Sequence, residues 1–200
     1  MHASPKGKIV GSNPTGVSNK ELYMERMERI YIFDVDDTLI ATTACVCAVN
    51  PDGKIVFKAG TKVFNAPDST ERLLQPGLTW DFSEFESLEQ LMIEPTKSAF
   101  NFLQNLPSYS NVYIITARQK QAMLQQWLAT KDININLNHI HCFDRNYDGT
   151  VARWKGEVVD SIIAKHPDHE VIIFEDDPNN CLAMAESCIK RNVMFQLMPV

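Results

Sequence analysis

The chain contains no uninterrupted apolar stretch near the roughly 20 residues that a membrane-spanning helix requires. Its opening, MHASPKGKIVGSNPTG, lacks the apolar core of a secretory signal, so a cytoplasmic location and no membrane partner are expected. The five cysteines, Cys45, Cys47, Cys142, Cys181 and Cys188, are odd in number and form no Cys-x-x-Cys pair. That favours reduced thiols over a disulfide framework of the secreted type. Basic side chains are outnumbered, 19 against 25 acidic ones, for a formal charge of −6. An acidic chain is a poor nonspecific nucleic-acid coat, because phosphate binding needs clustered Lys and Arg. A local basic groove remains compatible with that balance. No repeat or low-complexity tract is present.

What the chain does have is ordinary globular content, 44% hydrophobic over 200 residues. At about 150 residues per domain this predicts one domain with an insertion. Residues 1–20, rich in Gly, Pro, Ser, Asn and Lys, read as a mobile arm, and 21–200 as the folded domain. Gly11-Ser-Asn-Pro-Thr-Gly16 begins like a phosphate-binding P-loop, but Val17-Ser18 stand where Lys and then Ser or Thr are required, and no strand precedes it.

From residue 29 a βα rhythm predicts the fold. Apolar runs at 30–33, 112–115, 140–143 and 171–174 read as buried strands. Amphipathic segments at about 96–106, 119–130, 155–165 and 179–191 read as helices, and 193–195 as an edge strand. Residues 46–49 and 54–57 flank Asn50-Pro-Asp-Gly53 and predict a hairpin. Ser83-Glu-Phe-Glu86 fits a capping box before Phe85, Leu88, Leu91 and Met92 at helical spacing. The hairpin and this mixed segment make a small insertion at about 41–94. Short apolar strands alternating with amphipathic helices imply an α/β fold, a Rossmann-like parallel sheet with helices on both faces. Ligands then bind beyond the carboxyl ends of the strands.

Three strands end in chemistry-bearing residues: Asp34-Val-Asp36, Thr116, and Glu175-Asp176-Asp177. Carboxylates converging at one sheet edge are costly unless a cation lies among them, and an all-oxygen set suits Mg²⁺. Arg118 reads equally as a phosphate contact or as an internal ion pair. His139-Ile-His141-Cys142 suits zinc badly, since on a strand the histidines share one face and Cys142 takes the other. Trp127 falls on an apolar helix face and reads as core, whereas Trp80 and Trp154 could line a site.

These residues carry a resemblance. FDVDDTL at 33–39 resembles the first motif of the haloacid dehalogenase (HAD) superfamily of aspartate-nucleophile phosphotransferases. Ile114-Ile-Thr116-Ala-Arg118 is similar to its second motif, Lys155 at a helix start to its third, and Phe174-Glu-Asp-Asp177 to its acidic fourth. The resemblance implies Asp34 as nucleophile and metal ligand and Asp36 as general acid and base with a carbonyl in the metal shell. It implies Thr116, Ala117 and Arg118 as phosphate binders and Lys155 as the cation that neutralises nucleophile and phosphoryl group. Asp176, with Glu175 and Asp177 as alternatives, is the further Mg²⁺ ligand. The small residue expected before Thr38 is here Asp37.

Neither gap between the motifs holds a full extra domain, so the resemblance implies the minimally capped group, whose open sites often accept large substrates. Thr150 and Trp154-Lys155 before the acidic pair are similar to HAD domains of nucleic-acid end repair common in phages. The implied activity is a Mg²⁺-dependent phosphomonoesterase acting through an aspartyl-phosphate on a nucleotide or polynucleotide terminus. The alternatives are a phosphatase of small metabolites and a non-catalytic module that binds phosphorylated ends. No obligate protein partner is implied.

Overall fold

The computed structural model describes residues 28–64, 77–198 and 200. The expected arm at 1–20 and part of the insertion lie outside them. The described elements run β1 (Arg29–Phe33), β2 (Cys45–Val49), β3 (Ile55–Gly60), α1 (Thr61–Phe64), β4 (Thr79–Asp81), α2 (Leu88–Ile93), α3 (Ser98–Gln104) and β5 (Val112–Thr116). They continue with α4 (Gln121–Ala129), β6 (Ile140–Cys142), α5 (Val151–Lys165), β7 (Glu170–Phe174), α6 (Pro178–Lys190) and β8 (Phe195–Met198).

Among the described residues the main sheet has five strands in the order β6-β5-β1-β7-β8, all parallel. Side-chain alternation divides its core in two. Phe33, Ile114, Ile172 and Phe174 pack on one face against Phe100 and Leu103 of α3 and Leu124 and Trp127 of α4. Ile30, Ile32, Ile115 and Ile173 pack on the other against α5 and α6, through Val159, Ile162, Met184 and Cys188. Both faces are covered, which is why the strands read as unbroken apolar runs. Each such side chain contributes about 1.5–3 kcal/mol by leaving water. Gly156 lets α5 and α6 approach closely, because a Cβ there would come within 2.9 Å of the Ala183 carbonyl. Among the described residues no helix is long and apolar enough to cross a membrane.

The chain fills the β1–β5–β6 side first, then crosses back to β7 and β8. The loops after β1 and β7 therefore diverge to opposite faces and leave a crevice between neighbouring strands, where this fold class binds ligands. Inserted after β1 is a second sheet, antiparallel, in the order β3-β2-β4. It has its own apolar cluster of Ala44, Val46 and Phe85 with Trp80 and Phe82.

Several boundaries differ from expectation. Ser83–Glu86 is a 3₁₀ turn, and the true cap of α2 is Ser87, whose hydroxyl accepts from the Gln90 N–H at 3.2 Å. Met92, expected on the apolar side, is 41% exposed. The helix placed at 155–165 begins a turn earlier, at Val151, because the Thr150 hydroxyl accepts from the Arg153 N–H at 3.2 Å and caps it. The edge strand lies at Phe195–Met198 and not at 193–195.

Four histidines gather near Tyr113 at the sheet's flank. His139 and His141 stack on its ring at centroid distances of 4.3 and 6.2 Å, while Cys142 packs toward the opposite core. His166 lies 3.0 Å from the Tyr113 hydroxyl, and His169 packs edge-on against His166 at 5.0 Å. Burial first, then nearby Lys165 and His139, lowers the pKa of His141; burial and the neighbouring His169 do the same for His166. A lowered pKa means that the unfolded chain takes the proton more readily. Stability is thus complete above the ordinary histidine range near 6.5 and falls as pH drops below it. Thermal melts between neutral and mildly acidic pH are expected to show that loss, and His141→Phe should blunt it. A melting temperature indifferent to pH across that range would contradict the assignment.

Candidate active site

Strand register places the acidic groups. Phe33 sits opposite Phe174 in the β1–β7 pair, so Asp34 and Glu175 leave the sheet side by side. The Asp34 N–H still donates to the Phe174 carbonyl at 3.0 Å. On the other flank Phe33 pairs with Ile114, which brings Thr116 to the same edge.

Lys155 reaches this edge from the second turn of α5. Its ammonium donates to Asp34 Oδ1 at 2.7 Å and to Glu175 Oε2 at 2.6 Å, and the residue is 1% exposed. Burial alone would lower the Lys155 pKa. The two carboxylates overcome that and hold its pKa above the ordinary lysine value. Burial pushes the Asp34 carboxyl well up, Lys155 opposes it, and Glu175 and Asp36 add to the rise. Asp176, bonded by the Thr38 hydroxyl at 3.4 Å, is raised by burial and by Glu175 and Asp37.

Ligand oxygens of Asp34, Glu175 and Asp176 all lie within 4.8 Å of one another. Three carboxyl groups share one ammonium at this edge, so their full ionisation calls for further positive charge. A divalent cation with hard, oxygen-seeking character fits both the charge and the donor set. Glu175 is the most occupied of the three, since its Oε1 also accepts from Asn180 Nδ2 at 3.0 Å and from the Asp177 N–H at 3.3 Å. Among the described residues Asp34 accepts a side-chain hydrogen bond only at Oδ1. Asp34 and Asp176 therefore offer the oxygens best able to hold a metal.

No family model and no curated protein matches this chain. Its chemistry must be read from the residues themselves.

The remaining residues singled out from sequence divide into those near the crevice and those engaged elsewhere. Asp36 is bound bidentately by Arg118, Nη2 to Oδ1 at 2.7 Å and Nε to Oδ2 at 3.0 Å, and accepts from the Thr42 hydroxyl at 2.6 Å. Arg118 is 2% exposed and also donates to the Phe85 carbonyl at 2.7 Å, which is the internal-pair alternative for this residue. Thr116 is fully buried, and its Oγ1 accepts from the Arg118 N–H at 3.3 Å, while Ala117 is exposed at the turn. Asp177 is engaged elsewhere: its carboxylate caps α6, accepting from the N–H groups of Asn179 and Asn180 at 2.8 and 3.1 Å. Trp154 is buried in the α5–α6 core, edge-on to Phe143 at 5.4 Å.

Asp37 has φ of 57°, a left-handed conformation that glycine adopts freely and aspartate tolerates. Its carboxylate accepts from the Thr42 N–H and the Thr61 hydroxyl, both at 3.2 Å, and its carbonyl accepts from Lys97 Nζ. Sequence reasoning missed these contacts, together with Glu94, whose carboxylate takes the N–H groups of Thr43 at 2.9 Å and Ala44 at 3.2 Å and pins the base of the insertion. A buried acid just before Pro95 is the one local signal for the latter.

Proposed function

We propose that this chain is a Mg²⁺-dependent phosphomonoesterase of the HAD type, with Asp34 as nucleophile. The observation that carries the reading is the Lys155 ammonium shared between Asp34 and Glu175 beside Asp176, a cation-demanding cluster at the strand switch point. Phosphoryl transfer asks for little covalent help beyond an in-line nucleophile and cations around the equatorial oxygens. Lys155 orients Asp34 and meets the incoming phosphoryl charge. The Thr116 hydroxyl accepts from the Arg118 N–H and keeps its own proton to donate to a phosphoryl oxygen. Attack by Asp34 forms an aspartyl-phosphate as the leaving oxygen takes a proton from Asp36; Asp36 then draws a proton from the water that hydrolyses it. For the first of these steps Asp36 gives up its ion pair with Arg118 and takes up a proton from solvent, and that proton is the one it hands to the leaving oxygen. Mg²⁺ held by Asp34 and Asp176 would supply charge neutralisation of the phosphoryl oxygens. The substrate we assign is a nucleotide or polynucleotide terminus, supported by the small insertion and by the exposed cations Lys120 and Arg145 at the same edge.

Phosphate release from a generic aryl phosphate and from 3′- and 5′-phosphorylated oligonucleotides tests the reading. EDTA is expected to stop release and Mg²⁺ to restore it. Asp176→Ala should raise the Mg²⁺ concentration required by at least about tenfold. Asp177→Ala should leave that requirement alone and cost about 1 kcal/mol of stability through the lost helix cap. Release unaffected by EDTA would refute the metal assignment.

A further inference from the structure

The Phe82–Glu86 stretch of the insertion lies against the loops that leave β5 and β6, and cations hold it there. Lys120 donates to the Glu86 carbonyl at 3.1 Å, and its ammonium is 3.6 Å from the Glu86 carboxylate. Arg145 donates to the other oxygen of that carboxylate at 2.9 Å. The Arg145 guanidinium also sits 5.5 Å from the centroid of the Phe82 ring, and that of Arg118 sits 5.5 Å from the Phe85 ring. Two aromatic rings and a carboxylate thus meet three cations. Along those cations Phe82, Phe85 and Glu86 interleave π-faces with one negative charge, while Glu84 turns to Lys58 and the Cys45 N–H. A single nucleic-acid strand presents the same interleaving, its bases to guanidinium planes and its phosphates to Lys and Arg.

The Phe82–Glu86 stretch packs within the insertion. Its apolar contacts belong to the insertion, the cluster of Ala44, Val46 and Phe85 with Trp80 and Phe82, and this cluster is separate from the two that flank the main sheet. Its grip on the core is polar: one buried bond, from the Arg118 guanidinium to the Phe85 carbonyl at 2.7 Å, and the exposed pairs of Lys120 and Arg145 with Glu86. The Lys120 and Arg145 side chains are 56% and 55% exposed, and ion pairs this exposed hold weakly in water and more weakly in salt. A polyanion offering several phosphates at once competes well for such cations.

We propose that Phe82–Glu86 is a displaceable stand-in for a single nucleic-acid strand, occupying a track of Arg118, Lys120 and Arg145 that a phosphorylated strand takes when it binds. The inference rests on the phosphatase reading for the strand's direction: the track starts at Arg118, bonded to Asp36, and runs outward from the crevice. The Phe82–Glu86 stretch then acts as a gate that polynucleotides open and small phosphate esters leave closed.

The test is fluorescence anisotropy of a labelled, 3′-phosphorylated oligothymidylate with the full chain, carrying Asp34→Asn so that the probe is not consumed. Adding Glu86→Gln is expected to tighten binding roughly fivefold by loosening the stand-in. Glu89→Gln, an exposed acid in the first turn of α2, removes the same charge and should change nothing. Lys120→Ala should weaken binding and reduce the slope of log Kd against log salt by about one. Failure of Glu86→Gln to tighten binding, tightening matched by Glu89→Gln, or indifference to Lys120→Ala would each overturn the proposal. The readout needs no turnover. Tightening by Glu86→Gln alongside a native chain that releases no phosphate would remove the phosphatase and keep the track. Turnover of an aryl phosphate without that tightening would do the reverse.

Discussion

Asp34→Asn is expected to lower phosphate release by on the order of 10⁴-fold or more in a chain that stays folded. Asn is nearly isosteric with Asp but carries no anion to attack phosphorus, and it can form no acyl phosphate that water then cleaves. The fold should survive because two effects oppose each other. The amide removes a charge that burial already disfavours, and it also takes one of the two carboxylates from Lys155. Glu175 keeps its own bond to that ammonium at 2.6 Å. Circular dichroism should therefore match the native chain, with a melting temperature within a few degrees. A folded variant that turns over near the native rate would remove Asp34 from the nucleophile's role.

Lys155→Met is expected to damage both activity and stability. Methionine keeps the side chain's length and apolar stem, but it leaves Asp34 and Glu175 buried without their shared cation. Breaking a buried pair in this way costs about 3–5 kcal/mol, because the stranded charges keep their desolvation penalty. For a chain of this size that is a fall of roughly 6–20 °C in melting temperature. The sign of the pH dependence follows. Without Lys155 the folded-state pKa of Asp34 rises further above that of the unfolded chain. The variant is then least penalised at acid pH, where Asp34 is protonated, and loses stability as pH rises through its folded value. Added Mg²⁺ should recover part of the loss by replacing the missing positive charge. Phosphate release should fall by about 10²–10³, the usual effect of removing one preorganised electrostatic contact to a transition state. A variant that melts and turns over like the native chain would contradict the electrostatic account.

Much of the sheet was legible because its strands are buried on both faces. Ile30–Phe33 and Val171–Phe174 read as strands for that reason, and the acids after them mark where each leaves the apolar layer. The α2 start was misread because two overlapping patterns fit a capping box, Ser83 with Glu86 and Ser87 with Gln90. Phe82 and Phe85 decide between them by entering the insertion's own core, which no local spacing discloses. Convergence of Asp34, Thr116 and Glu175 was legible from topology alone. Which acid does what was not. Asp177 is spent on a helix cap and Glu175 on Lys155, and both follow from how Pro178 turns the chain into α6. Arg118 could be assigned no single role because its partner, Asp36, lies far back in the chain, and the pair forms only when β1 and β5 align.

The central claim is that Asp34 carries the phosphoryl group between substrate and water. Acid quenching of the native chain during steady turnover of an aryl phosphate in Mg²⁺, followed by proteolysis and mass spectrometry, tests it most directly. The account predicts a phosphoryl group on the peptide containing Asp34, absent in the Asp34→Asn chain. Turnover that proceeds with the phosphoryl group on a different residue would contradict it, as would a chain that releases no phosphate with any divalent metal.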